Sequence, residues 1–142
     1  VMRDIEIEIN RDAEDIGLAE LISSLIRENI TASQNKRRIF SKLKGDVTIV
    51  ATDAEVSILL SFDRGRVSIY NGQSHKSDFI IRANSEDIIG LSNIKLLFGY
   101  PFLINKGGIN ILKKLLTKKI ELKGVIKNII FGINLLRIIS VN

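Results

Sequence analysis

An alternation of apolar and polar residues between Asp46 and Asn84 limits the folds open to this chain more than any other feature of its sequence. Successive side chains of a β-strand point to opposite faces, so a period of two predicts half-buried strands. The apolar positions form four groups: Val47, Ile49 and Ala51; Val56, Ile58, Leu60 and Phe62; Val67 and Ile69; Phe79 and Ile81. Turn-forming residues separate the groups, and short joints place neighbouring strands antiparallel. The segment therefore predicts a four-stranded antiparallel meander.

One face of this meander needs an apolar cover, because exposing large side chains to water costs about 1.5–3 kcal/mol each. Helical spacing of leucine and isoleucine from Leu18 to Ile30 predicts an amphipathic helix that supplies part of this cover. A second, shorter helix is predicted from Ser33 to Lys44, exposing Lys36, Arg37 and Arg38. Three adjacent basic residues suit a solvated helix face, and neither stacking aromatics nor a recognition motif accompanies them. A nucleic-acid partner is therefore not expected.

The remaining segments add strands and helices at both ends. The alternation of Ile5 to Ile9 predicts a short edge strand, and Ser85-Glu86-Asp87 opens a short helix. The apolar stretch from Ile94 to Ile104, interrupted by Gly99 and Pro101, is either a core crossing or the rim of a ligand entrance. A further helix, strand and helix are predicted over Ile109–Leu116, Lys119–Lys123 and Val125–Val141. The position of the Lys119–Lys123 strand in the sheet stays open.

Length and composition fit one α+β domain over residues 1–142, because 142 residues with 45% hydrophobic content can enclose one core. Residues 1–44 form its N-terminal strand and helices, and residues 45–142 form its core. There is no cysteine, which excludes disulfides, thiolate metal sites and a cysteine nucleophile. The N-terminus lacks the basic-then-apolar layout of a signal peptide, so a cytoplasmic location is expected.

Charge is distributed unevenly along the sequence. Residues 1–92 contain 12 Lys and Arg against 15 Asp and Glu, whereas residues 93–142 contain nine against the single acid Glu121. A basic, apolar C-terminal third suits either an anionic partner, such as a phospholipid surface, or lysines that solvate helices. A membrane-spanning helix at Val125–Val141 is disfavoured, because the segment is shorter than about 20 residues and contains Lys127 and Arg137.

The residues for covalent chemistry are missing. His75 is the single histidine, and it falls in a predicted turn. The adjacent carboxylates Glu14-Asp15 and Glu86-Asp87 fall in predicted first helical turns, where the helix dipole explains them. Lys106-Gly107-Gly108 opens a helix and is either a phosphate cradle or a flexible first turn. We therefore expect neither an enzyme nor a bound cofactor or metal.

The order of these elements resembles the sterol carrier protein type-2 family of lipid-binding domains. The correspondence is strongest at Leu115 to Gly124 (LLTKKIELKG) followed by an apolar helix, and Val56 to Asn71 is similar to the family's central hairpin. The resemblance implies a five-stranded, mostly antiparallel sheet covered on one face by helices, with an apolar tunnel between them. The strand at Ile5 to Ile9 and the doubled N-terminal helices depart from the family as additions. The family has no catalytic residues to carry over, so the resemblance implies binding without catalysis.

On this basis the first hypothesis is binding or transfer of a fatty acid, fatty acyl-CoA, sterol or phospholipid, with transient contact at an anionic membrane. The expected ligand-binding side chains lie on the sheet and on the segments that cover it. They are Ile58, Phe62, Phe98, Phe102, Ile111, Leu112, Leu115, Ile129, Ile130 and Ile133. The alternative hypothesis is a homodimeric interaction module that uses the apolar C-terminal helix.

Overall fold

The computed structural model describes residues 5–72, 77–92, 96–97, 100–101, 113–114, 120–124 and 128–140. Its main sheet has six strands, one more than expected. They are β1 (Glu6–Ile9), β2 (Lys44–Ala51), β3 (Val56–Asp63), β4 (Arg66–Asn71), β5 (Phe79–Ala83) and β8 (Glu121–Lys123). Two further strands, β6 and β7, lie between β5 and β8 in the sequence and form a separate two-stranded sheet. In the smaller sheet, β6 (Leu96–Leu97) pairs antiparallel with β7 (Tyr100–Pro101). Both strands belong to the apolar stretch from Ile94 to Ile104, for which the sequence predicted either a core crossing or the rim of a ligand entrance. The sixth strand is β1, the predicted edge strand, which pairs with β4 at one edge of this sheet.

The helices are α1 (Gly17–Ala32), α2 (Gln34–Lys42), α3 (Ser85–Leu91) and α4 (Ile129–Ile139), and a short 3-10 turn (Arg11–Ala13) precedes α1. Ser33 caps α2 by accepting a hydrogen bond from the Lys36 backbone N–H, and Asn84 caps α3 in the same way from Asp87. These side chains satisfy N–H groups that the first helical turn leaves without partners. Most of the helix predicted at Ile109–Leu116 lies outside the described residues; Lys113 and Lys114 are helical.

The strand order is β1-β4-β3-β2-β5-β8, and β5 is parallel to β2. The meander prediction is therefore confirmed for β2 to β4 and wrong for β5. Three strand spacings of roughly 4.8 Å separate β4 from β5, and the seven residues between Asn71 and Phe79 can span about 23 Å when extended. This connection is long enough to cross two strands. β8 pairs antiparallel with β5 at the sheet edge, which settles the position left open by the sequence.

One face of the sheet is continuous and apolar. The register aligns Ile7, Val67, Phe62, Leu60, Val47, Phe79, Ile81 and Leu122 on this inner face. Helices α1, α2 and α4 contact one another and share a single buried core with it. The predicted arrangement, a mostly antiparallel sheet covered on one face by helices, is confirmed.

Candidate functional site

Four phenylalanine rings connect the inner face to the helices above it. Phe40 of α2 meets Phe62 of β3 edge-on with ring centroids 6.1 Å apart. Phe131 of α4 lies 6.2 Å from Phe62 and 6.4 Å from Phe79 of β5. Edge-on aromatic pairs contribute about 0.5–1.5 kcal/mol beyond their buried area. These contacts hold the start of α4 against the middle of the sheet.

Two glycines allow α4 to approach this closely. A Cβ built on Gly132 would lie 2.7 Å from the Phe79 ring, and one on Gly45 would lie 2.7 Å from the Phe131 ring. Gly45 also has φ +152°, which other residues rarely adopt. A larger residue at either position would therefore push α4 away from the sheet.

The other end of α4 is held by polar groups from α1 and α2. The Asn29 amide donates hydrogen bonds of 2.8 Å to the Ile138 carbonyl and 2.9 Å to the Ile139 carbonyl. The Lys36 ammonium donates to the carbonyl of Ser140, which is fully buried. Helix C-terminal carbonyls lack intrahelical partners and attract cations. These two side chains therefore fix where α4 ends.

Lys36 corrects one sequence prediction. It was expected on a solvated face, yet it is only 8% exposed. Its long aliphatic part packs between helices while its ammonium reaches the end of α4. Burial lowers the pKa of this ammonium. The three consecutive basic residues of α2 therefore do not form one solvated surface.

The predicted ligand-binding residues fall into three groups. Ile58 and Phe62 are buried on the inner face, at 0% and 2% exposure, and Ile133 is half-buried. Ile129 and Ile130, in the first turn of α4, are 53% and 73% exposed. Phe98, Phe102, Ile111, Leu112 and Leu115 lie outside the described residues. The structure thus buries Ile58 and Phe62 on the same face of β3, with Phe62 against Phe131 of α4. The ligand-binding role of all ten residues stays a prediction.

A surface cleft of about 680 Å³ opens beside β1, away from these residues. It is lined by Ile5, Glu6, Ile7, Glu8, Arg27, Ile30, Thr31 and Arg37. The sequence indicated β1 as an edge strand but gave no signal for this cleft, because its far wall comes from α1 and α2. Its open shape and mixed charges contrast with the apolar inner face.

Polar contacts elsewhere are structural. Asp53 accepts hydrogen bonds from the backbone and side chain of Ser85 at the start of α3, and these bonds lower the pKa of its carboxyl. The buried carboxylate of Asp87 forms an ion pair with Lys114. Within the described ranges, no three His, Cys, Asp or Glu side chains cluster as metal ligands would. His75 lies outside those ranges.

The fold has known counterparts. One solved structure, entitled UbiJ-SCP2 ubiquinone synthesis protein, matches with a TM-score of 0.56 and 14% identity over 82% of this chain and 90% of that one. A crystal structure of sterol carrier protein 2 matches with a TM-score of 0.51 and 16% identity over 86% and 95%. No family model and no curated protein matches the sequence. The chain therefore has a fold like that of sterol carrier protein 2.

Proposed function

We propose that this chain binds a lipid between the inner face of its sheet and the helices that cover it, and carries out no covalent reaction. The observation that carries the proposal is the pairing of this fold with a continuous apolar inner face from Ile7 to Leu122. The titles of the two similar structures name a sterol carrier and a ubiquinone synthesis protein. Sterols and ubiquinone are both lipids of very low solubility in water.

The proposed ligands are fatty acids, fatty acyl-CoA, sterols or phospholipids, held in an apolar tunnel. Removing apolar surface from water supplies the affinity for such molecules, and few polar groups are needed. Ile58 and Phe62 would form the floor of the tunnel, with Ile133 of α4 at its side. The absence of cysteine and the single histidine support a role in binding rather than catalysis.

Binding is tested by native mass spectrometry of the freshly purified protein, followed by titration with a fluorescent fatty acid after the protein has been stripped of lipid. We expect a co-purified lipid and saturable binding of the probe. Competition by acyl-CoA, sterol and phospholipid then ranks the ligand classes. A protein that purifies empty and does not bind the probe contradicts the proposal.

The location is tested with Ile133→Trp, because the larger side chain would occupy part of the proposed tunnel. We expect affinity for the fluorescent fatty acid to fall roughly tenfold, whereas a packed site would instead lose about 1–3 kcal/mol of folding stability. The matched control is Ile89→Trp, since Ile89 is 45% exposed on α3. Lost stability with unchanged affinity would place Ile133 in the core instead.

A further inference from the structure

Two neighbouring isoleucines are exposed at the start of α4. Ile130 is 73% exposed and Ile129 is 53% exposed, whereas the next residue, Phe131, packs against Phe62 and Phe79. The helix therefore turns its ring inward and its two preceding side chains outward. Adjacent large apolar side chains at such exposure suit contact with an apolar phase.

Backbone contacts place these isoleucines at one end of the sheet, here called the basic end. The Asn128 side chain donates to the Asp78 carbonyl just before β5, and the Asn128 backbone N–H donates to Gly124 just after β8. Phe131 lies over Gly45, at the start of β2. The β3–β4 turn joins this end through the hydrogen bond from the Arg64 N–H to the Leu43 carbonyl.

Exposed cations lie at the same end of the sheet as the isoleucines: Lys42, Lys44, Arg64 and Lys123. Arg66 is also there, paired with Glu6 at 3.0 Å. The described acids at this end are Glu6, Asp46, Asp63 and Asp78, four against these five cations. Asp46 accepts a hydrogen bond from Ser61, and Asp78 accepts one from the Asp46 backbone. Among the described residues, the charge at this end is therefore net positive.

The opposite end of the sheet carries the reverse charge. The 3-10 turn after β1, the β2–β3 turn and α3 meet there, joined by hydrogen bonds from Asn71 to Asp12 and from Ser85 to Asp53. The exposed acids of these segments are Asp12, Glu14, Asp15, Asp53, Glu55 and Glu86. Among the described residues at this end, Arg11 and Lys113 are exposed cations, and Lys114 is paired with the buried Asp87 of α3. The described part of the molecule is thus polarised along its strands, and an anionic surface would attract its basic end.

We infer that the basic end docks on an anionic lipid bilayer, with Ile129 and Ile130 entering the headgroup region and Lys44 and Lys123 meeting lipid phosphates. The inference rests on the proposed lipid-binding function, because a lipid carrier must collect its cargo from a membrane. Apolar insertion combined with electrostatic attraction gives reversible binding that depends on lipid charge. No described helix is long and apolar enough to cross a bilayer.

A second copy of the chain fits this surface less well. Two isoleucines offer far less area than the roughly 800 Å² per partner that stable interfaces bury. A symmetric dimer through this end would also oppose Lys44 and Lys123 to copies of themselves, which is unfavourable. An anionic bilayer complements the same charges.

The test is cosedimentation with vesicles of phosphatidylcholine alone and of an equimolar mixture with phosphatidylglycerol. The full chain is expected to bind the mixed vesicles, to bind the neutral ones weakly, and to dissociate as salt is raised. Ile130→Asp and Lys44→Glu should each lower partitioning roughly tenfold. The matched controls, Ile89→Asp and Arg11→Glu, change the same residue types at the opposite end and should bind as the original chain does.

Equal losses in the control variants, or equal binding to both vesicle types, would overturn the docking surface. So would a dimer in size-exclusion chromatography that dissociates in Ile130→Asp. Fatty-acid binding in free solution is measured in parallel: a chain that binds the fluorescent fatty acid but ignores anionic vesicles refutes the docking surface and leaves the proposed function standing.

Discussion

Lys36 is the residue whose environment departs most from its sequence context. Its ammonium donates to the carbonyl of the fully buried Ser140. Replacement by Met keeps the aliphatic stem but removes the donor. We expect Lys36→Met to lower the free energy of unfolding by about 1–3 kcal/mol, the usual cost of losing a buried hydrogen bond from a charged donor. Urea unfolding followed by circular dichroism measures this change.

Arg38→Met is the control for this substitution, because Arg38 is exposed on the same helix. Exposed positions usually change stability by less than about 0.5 kcal/mol. If both variants lost the same stability, the effect would come from helix propensity or net charge and not from the contact with Ser140.

The pH dependence of Lys36 has a defined sign. Burial lowers the pKa of its ammonium below the ordinary value of 10.5, so the folded protein releases this proton at a lower pH than the unfolded chain. Between the two pKa values the unfolded chain binds more protons, and stability rises with pH. The free-energy difference between the original chain and Lys36→Met should therefore grow as pH rises toward 10.5 and then level off. A difference that shrinks would mean that the helix C-terminus holds the proton more strongly than burial expels it.

At the scale of elements, two helical glycines are expected to respond oppositely to alanine. Alanine gains up to about 1 kcal/mol over glycine within a helix. At Gly90 of α3 nothing lies within 4 Å of the added Cβ, so Gly90→Ala should be neutral or stabilising. At Gly132 the added Cβ would meet Phe79 at 2.7 Å, and Gly132→Ala should cost about 1–3 kcal/mol net. Thermal unfolding of both variants checks the sign, and a stabilised Gly132→Ala would show that α4 does not pack closely on β5.

Elements whose signals are local could be predicted from the sequence. The alternation of β2 to β4 fixes a face that the structure buries. The helical spacing of α1 does so in part: Ile22, Ile26 and Ile30 are buried, while the leucines of the same stripe are half-buried. The parallel pairing of β5 with β2 could not be predicted, because it depends on where a seven-residue connection leads and not on the pattern within either strand. The same holds for Lys36 and Ser140, which are 104 residues apart in sequence.

The candidate site shows the same division. Period two placed Ile58 and Phe62 on the inner face, where they are buried. In α4, by contrast, helical spacing puts Phe131, Leu135 and Ile138 on the same side as Asn134 and Arg137. The structure turns Leu135 and Ile138 into the core, at 1% and 0% exposure. A helix that is apolar almost all round has more than one side that could be buried, so contact with the sheet decides which one is.

For the whole molecule, the proposed lipid is expected to act as a stabilising ligand. A ligand that binds only the folded state at about 100 times its dissociation constant adds roughly 2.7 kcal/mol to the free energy of unfolding. For a chain of this size each kcal/mol raises the melting temperature by roughly 2–4 °C, so lipid-loaded protein should melt roughly 5–10 °C above stripped protein. Differential scanning calorimetry before stripping, after stripping and after reloading with fatty acid measures the shift. Because the ligand stabilises the folded state by mass action, the shift should return on reloading and increase with the concentration of free fatty acid. A shift that does not change with fatty-acid concentration would indicate irreversible damage during stripping. It would count against a lipid site.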